Sequence, residues 1–67
     1  MFTINNAKFA SFAQAAQVAF IHTRQRGENV QVRANNGTLL ADFVPNTDGT
    51  TSIFATDVGK PFVEALA

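Results

Sequence analysis

Few side chains in this chain of 67 residues are equipped for chemistry, and they lie far apart. His22 is the only histidine. A histidine that works as a base needs a nucleophile and an orienting carboxylate within hydrogen-bond reach. On a helix such partners stand three or four positions away, yet no acidic residue lies within a turn of His22. Arg24 and Arg26 are its charged neighbours, so it reads as a solvent-facing side chain near a helix end. One histidine with no cysteine leaves only scattered carboxylates, without metal-ligand spacing, and neither a metal nor a cofactor is expected. Gly59-Lys60-Pro61 stands where a helix begins, and exposed N–H groups there favour anions. It lacks the glycines and spacing of a phosphate loop, and Asp57 beside it opposes phosphate, so it reads as a strand-to-helix turn. Asn36-Gly37-Thr38 matches a glycosylation triplet but sits at a tight turn. The chain is expected not to be an enzyme.

Composition narrows the remaining classes. Five Lys and Arg against five Asp and Glu give zero formal charge, whereas duplex binding gains affinity by neutralising several phosphates. Only Arg24 and Arg26 cluster locally with His22, and the helix dipole accounts for positive charge there. No exposed aromatics interleave with the basic residues to form a stacking platform. The absence of cysteine suits a reducing, cytoplasmic setting. No apolar run approaches the ~20 residues of a membrane span. The first six residues have neither the charge nor the apolar run of a leader, and residues 1–67 read as one domain and an entire small product. Ordering each residue costs roughly 1.5 kcal/mol, and the chain is 46% apolar with seven Phe. Nearly every Phe must be buried, or a second copy or partner must cover what is left.

The elements follow from periodicity and punctuation. Phe2, Thr3 and Ile4 alternate as in a short strand. Asn5 and Asn6 are good N-cap residues, and the composition from Ala7 to Arg26 predicts one long helix. At 100° per residue, Phe9, Phe12, Ala13, Ala16 and Phe20 form its apolar stripe, with Ala19 and Thr23 beside it. Gly27 stops it. Val18 and Ile21 lie off the stripe and are candidates for a second contact surface. From Asn29 to Thr56, three alternating segments are separated by Asn36-Gly37 and Asp48-Gly49, which predicts an antiparallel meander. Val58, Phe62 and Leu66 recur every four residues between Asp57 and Ala67, the pattern of a short docking helix, with Thr56 or Asp57 as cap and Pro61 in its first turn. The expected fold is α+β, ordered β-α-β-β-β-α, with three or four strands packed on one long helix.

Register decides which residues face water. A two-residue turn at Asn36-Gly37 sets Ala34 against Leu39, Arg33 against Leu40, Val32 against Ala41 and Val30 against Phe43. One face then reads Val30, Val32, Ala34, Leu39, Ala41 and Phe43. A like turn at Asp48-Gly49 sets Val44 against Ile53 and Phe43 against Phe54, while a one-residue slip would bury Ile53 instead of Phe54. Pro45, without an N–H, favours an edge or a bulge. The second face then carries Leu40, Val44, Ile53 and Ala55, with Gln31, Arg33 and Asp42 around them and Arg33 placed to pair with Asp42 on a diagonal.

The order helix, three strands, helix resembles that of the double-stranded-RNA-binding domain over most of the chain. Beyond Lys60 the basic helix start of that family is absent, as is its histidine-containing loop, so no functional residue carries over. The expected function is a small protein-binding module, a regulator or inhibitor of the kind a phage or other mobile element carries. It would occupy a partner's surface, and self-associate as a homodimer, through Leu40, Val44, Ile53, Arg33, Val18 and Ile21. The alternative is a nucleic-acid-binding module using Arg24, Arg26, Arg33 and Lys60.

Overall fold

The computed structural model describes residues 1–66. Phe2–Ile4 (β1) and Ala7–Phe9 (β2) are joined into a hairpin by Asn5-Asn6. Asn5 takes φ 53°, the positive value that the first central residue of a two-residue hairpin loop requires. Asn is one of the few residues to adopt it readily. The pair expected to cap a helix therefore turns a hairpin, and Ala7–Phe9 is strand rather than helix. Among the described residues there are thus five strands where three or four were expected.

The helix α1 spans Phe12–Arg26 and starts at Ser11, whose Oγ accepts a hydrogen bond from the Gln14 N–H at 3.2 Å. Ser11 and Gln14 have the spacing of a capping box. Its buried residues are Phe12, Ala15, Ala16, Ala19 and Thr23, a stripe turned away from the expected one, with Ala13 exposed. Once Phe9 belongs to a strand, nothing draws the face toward Ala13. The three small alanines let the helix lie close on the sheet. Gly27 ends it as expected, at φ 64° with its N–H bonded to the Thr23 carbonyl.

Val30–Ala34 (β3), Leu39–Pro45 (β4) and Thr51–Ala55 (β5) complete one antiparallel sheet in the order β2-β1-β3-β4-β5. Two identical turns govern its register. In each, a carbonyl accepts from a glycine N–H three positions on (Ala34 from Gly37, Asn46 from Gly49), and the same residue's N–H reaches the oxygen of the next threonine (Thr38, Thr50). The glycines sit at φ 88° and 89°. Each turn also carries an Asx bond, from the Thr38 N–H to Asn36 Oδ1 and from the Thr50 N–H to Asp48 Oδ1. These are three-residue loops closed by a left-handed glycine, not the two-residue loops expected, because Asn36 and Asp48 do not take the positive φ that the shorter turn demands.

The extra loop residue changes both registers. Val30 faces Phe43 and Val32 faces Ala41 as expected, but Arg33 faces Leu39, which leaves Leu40 as a bulge. In the second hairpin Phe43 faces Ile53 and Asp42 faces Phe54. That is the one-residue slip, and it turns Ile53 inward and Phe54 outward.

The helix α2, Lys60–Glu64, has Pro61 in its first turn and is shorter than the expected span, whose last residue, Ala67, lies outside the described residues. It docks on the same side as α1: Phe62 packs on Phe2 and Phe12 with ring centroids 5.3 and 5.6 Å apart, and those two rings meet edge-on at 5.8 Å. Phe20 meets Phe43 edge-on nearby. The approach to α2 is held by Thr56, whose hydroxyl donates to the Leu39 carbonyl at 2.8 Å and accepts from the Gly59 N–H at 3.1 Å. Gly59 is buried against the backbone of Leu40, and a Cβ there would collide with the Leu40 carbonyl. Close approach, not anion binding, accounts for this glycine.

Gly59→Ala is therefore expected to destabilise the fold by about 2 kcal/mol or more, measured as a drop in urea midpoint. A second outcome concerns Asp48. The hydroxyl and then the N–H of Thr50 bond to its carboxyl and hold its pKa below the ordinary 3.8. A depressed native pKa stabilises the fold above 3.8 and ceases to do so as pH falls through the lower native value. An NMR titration should place the Asp48 midpoint below 3.8, and Thr50→Val should raise it.

Candidate functional site

Pleat alternation assigns every strand residue to one of two faces. Phe2, Ile4, Val30, Val32, Ala41, Phe43 and Ile53 lie beneath the helices, either in the core cluster or packed against it. Among the described residues no helix lies over the opposite face. Its cross-strand rows read Lys8, Thr3, Arg33 and Leu39, then Gln31, Asp42 and Phe54, then Val44 and Ser52. Phe54 is 63% exposed. The other six Phe are in the core, packed against it, or in the ring trio that closes its end.

Two polar groups flank Phe54 in different conditions. The Arg33 guanidinium donates to the Gly37 carbonyl at 3.1 Å and to Gln31 Oε1 at 2.9 Å, so it lies fixed along the sheet and forms no ion pair with Asp42. Asp42 lies directly opposite Phe54, and its Oδ1 is buried without a hydrogen-bond partner, alone in this among the side-chain atoms of the described residues. A buried acceptor left unpaired costs ~1–3 kcal/mol.

The residues expected to form the interface are scattered by the observed register. Leu40 is 1% exposed and belongs to the core, because the bulge turns it inward. Ile53 and Val18 pack against that core. Ile21 is exposed, but on α1, across the sheet from Phe54. Val44 and Arg33 do lie on the uncovered face. The basic set is divided as well. Arg24 and Arg26 end α1 on the covered side, Arg33 lies on the opposite face, and Lys60 faces Asp57 at 3.9 Å, the sole ion pair among the described residues.

His22 is half-buried rather than solvent-facing. It lines a cleft of about 270 Å³ at the end of β1, which brings it toward Glu28 and Asp42. Sequence spacing did not show those carboxylates, since they come from a loop and from β4. The lining includes no Ser, Thr or Cys to act as a nucleophile, and its mixture of charges singles out no ligand class. Among the described residues no group of three or more His, Asp or Glu is arranged to hold a metal ion, and no helix is long and apolar enough to cross a membrane. Comparison with family models, curated proteins and solved structures found no match to this chain.

Phe54 and Asp42 are the residues that sequence reasoning did not select together. The repeated triplets Asn36-Gly37-Thr38 and Asp48-Gly49-Thr50 carried the signal, since a threonine after the glycine suits the three-residue loop that both hairpins use. Two substitutions separate the faces. Leu40→Asp should unfold the chain, at a cost above about 4 kcal/mol for a charge placed in the core. Phe54→Ser should move the denaturation midpoint by less than about 1 kcal/mol, as exposed positions do.

Proposed function

We propose that this chain is a non-enzymatic protein-binding module, a small regulator or inhibitor that occupies a partner's surface with the uncovered face of its sheet. The observation that carries this reading is Phe54. In a chain so short that nearly every large apolar side chain is needed inside, one of seven Phe stands 63% exposed on the edge strand of the uncovered face, beside polar residues. Exposed aromatics set among polar residues are typical anchors of protein interfaces. Zero net charge and the absence of cysteine suit a cytoplasmic regulator of the kind mobile elements carry.

The nucleic-acid reading is weaker on this geometry. The four basic residues do not share a face, and the carboxylate at Phe54 repels phosphate from the one exposed ring on the sheet. Capture from cell extract with wild-type and Phe54→Ser baits tests the choice. A protein retained by the wild type at high salt and lost with Phe54→Ser supports the module. Retention that is nuclease-sensitive and falls steeply with salt would instead mark phosphate contacts. Equal capture by both baits would remove Phe54 from the interface.

A further inference from the structure

We infer that the outer edge of β5 is a self-complementary docking strand, and that a second copy of this chain adds to it antiparallel, joining two sheets into one. The backbone of β5 makes this pairing, independently of the Phe54 face.

Hydrogen-bond alternation identifies the edge. The Asn46 N–H bonds to the Thr50 oxygen at one end of β5, and the Thr56 N–H bonds to the Leu40 oxygen at the other. In an antiparallel pair both backbone groups of a residue point the same way, and successive residues alternate. Thr50, Ser52, Phe54 and Thr56 therefore turn toward β4. Thr51, Ile53 and Ala55 turn their N–H and C=O groups outward. β5 is last in the sheet order, and no backbone bond outside the ladders satisfies those three residues among the described residues.

The occupant follows from what this edge lacks. Proteins block exposed edges with Lys, Pro, bulges or very short strands. β5 reads Thr-Ser-Ile-Phe-Ala, without charge, proline or bulge. The opposite edge is guarded: β2 has three residues with Lys8 in the middle. One open edge and one blocked edge give a closed pair instead of a filament. A twofold axis through Ile53 sets Ile53 against its copy and Thr51 against the second copy's Ala55, so all three outward residues pair and about six backbone bonds form. No like charges meet on either face, and a chain of zero net charge does not repel its copy. A foreign strand would use the same bonds, but the self-match aligns the full length of β5 with nothing left over.

Sedimentation of the intact chain across a concentration series, with amide exchange at each concentration, tests this. The mass should rise from 7.2 kDa to twice that. Over the same range the Thr51, Ile53 and Ala55 amides should gain at least about tenfold protection, while Ser52 and Phe54, already bonded to β4, should not change. Ala55→Pro, which leaves the core-packed Ile53 in place, should abolish the rise in mass, since the Ala55 N–H does not serve the β4 ladder and an edge tolerates its loss. A mass of 7.2 kDa at every concentration overturns the inference. So does protection of the three amides at a concentration where the mass is still 7.2 kDa, which would show that the edge is already covered within one chain. A doubling lost with Phe54→Ser, with the three amides still exchanging freely, would assign dimerisation to the sheet face instead.

Discussion

Two left-handed glycines, Gly37 and Gly49, decide what this protein shows to water. Each closes a loop one residue longer than the dipeptides beside it suggest. A strand has a period of two, so one added residue reverses the face of everything paired beyond it. In the first hairpin the change is absorbed by a bulge at Leu40. In the second it is not absorbed, and it runs the length of β5. Phe54 is outside and Ile53 is inside for that reason alone.

The core that results divides its work by residue size. α1 meets the sheet with Ala15, Ala16 and Ala19, and the sheet answers with Val30, Val32 and Phe43. Bulk placed on the strands and small residues on the helix give a close approach that needs few residues. Rings pack on one another at two places: Phe20 on Phe43, and Phe2, Phe12 and Phe62 together. Both helices are committed to this one side. The free face is therefore a consequence of how little apolar material a chain of this length holds.

Much of this was legible beforehand, for identifiable reasons. The meander, the C-terminal stop of α1 at Gly27 and the first three β3–β4 pairs follow from glycine placement and strict alternation, which are local. The N-terminal hairpin was not legible, because Asn5-Asn6 serves equally well as a cap and as a turn, and Ala7 to Phe9 is neutral between helix and strand. Ser11 with Gln14 marked the true helix start. The candidate surface was legible in kind but not in membership. Val44 and Arg33 lie on the uncovered face, while Leu40 and Ile53 were drawn there by a turn of the wrong length. Asp42 gained its meaning only from the fold, since its unpaired oxygen depends on neighbours supplied by β3 and β5.

The N-terminal hairpin has one more property, which concerns the order of assembly. β1 is joined to β3 through only two residue pairs, Phe2 with Ala34 and Thr3 with Arg33. Every other strand pairing links segments adjacent in the chain, and local pairings form early because little loop entropy opposes them. The β3–β4–β5 meander with α1 can thus assemble before β1 arrives across the full length of the helix. Docking of β1 and β2 is then a late event and, in reverse, an early one. The hairpin is held on the rest of the fold by Ile4 in the core, by Phe9 against it and by Phe2 packed on Phe12 and Phe62.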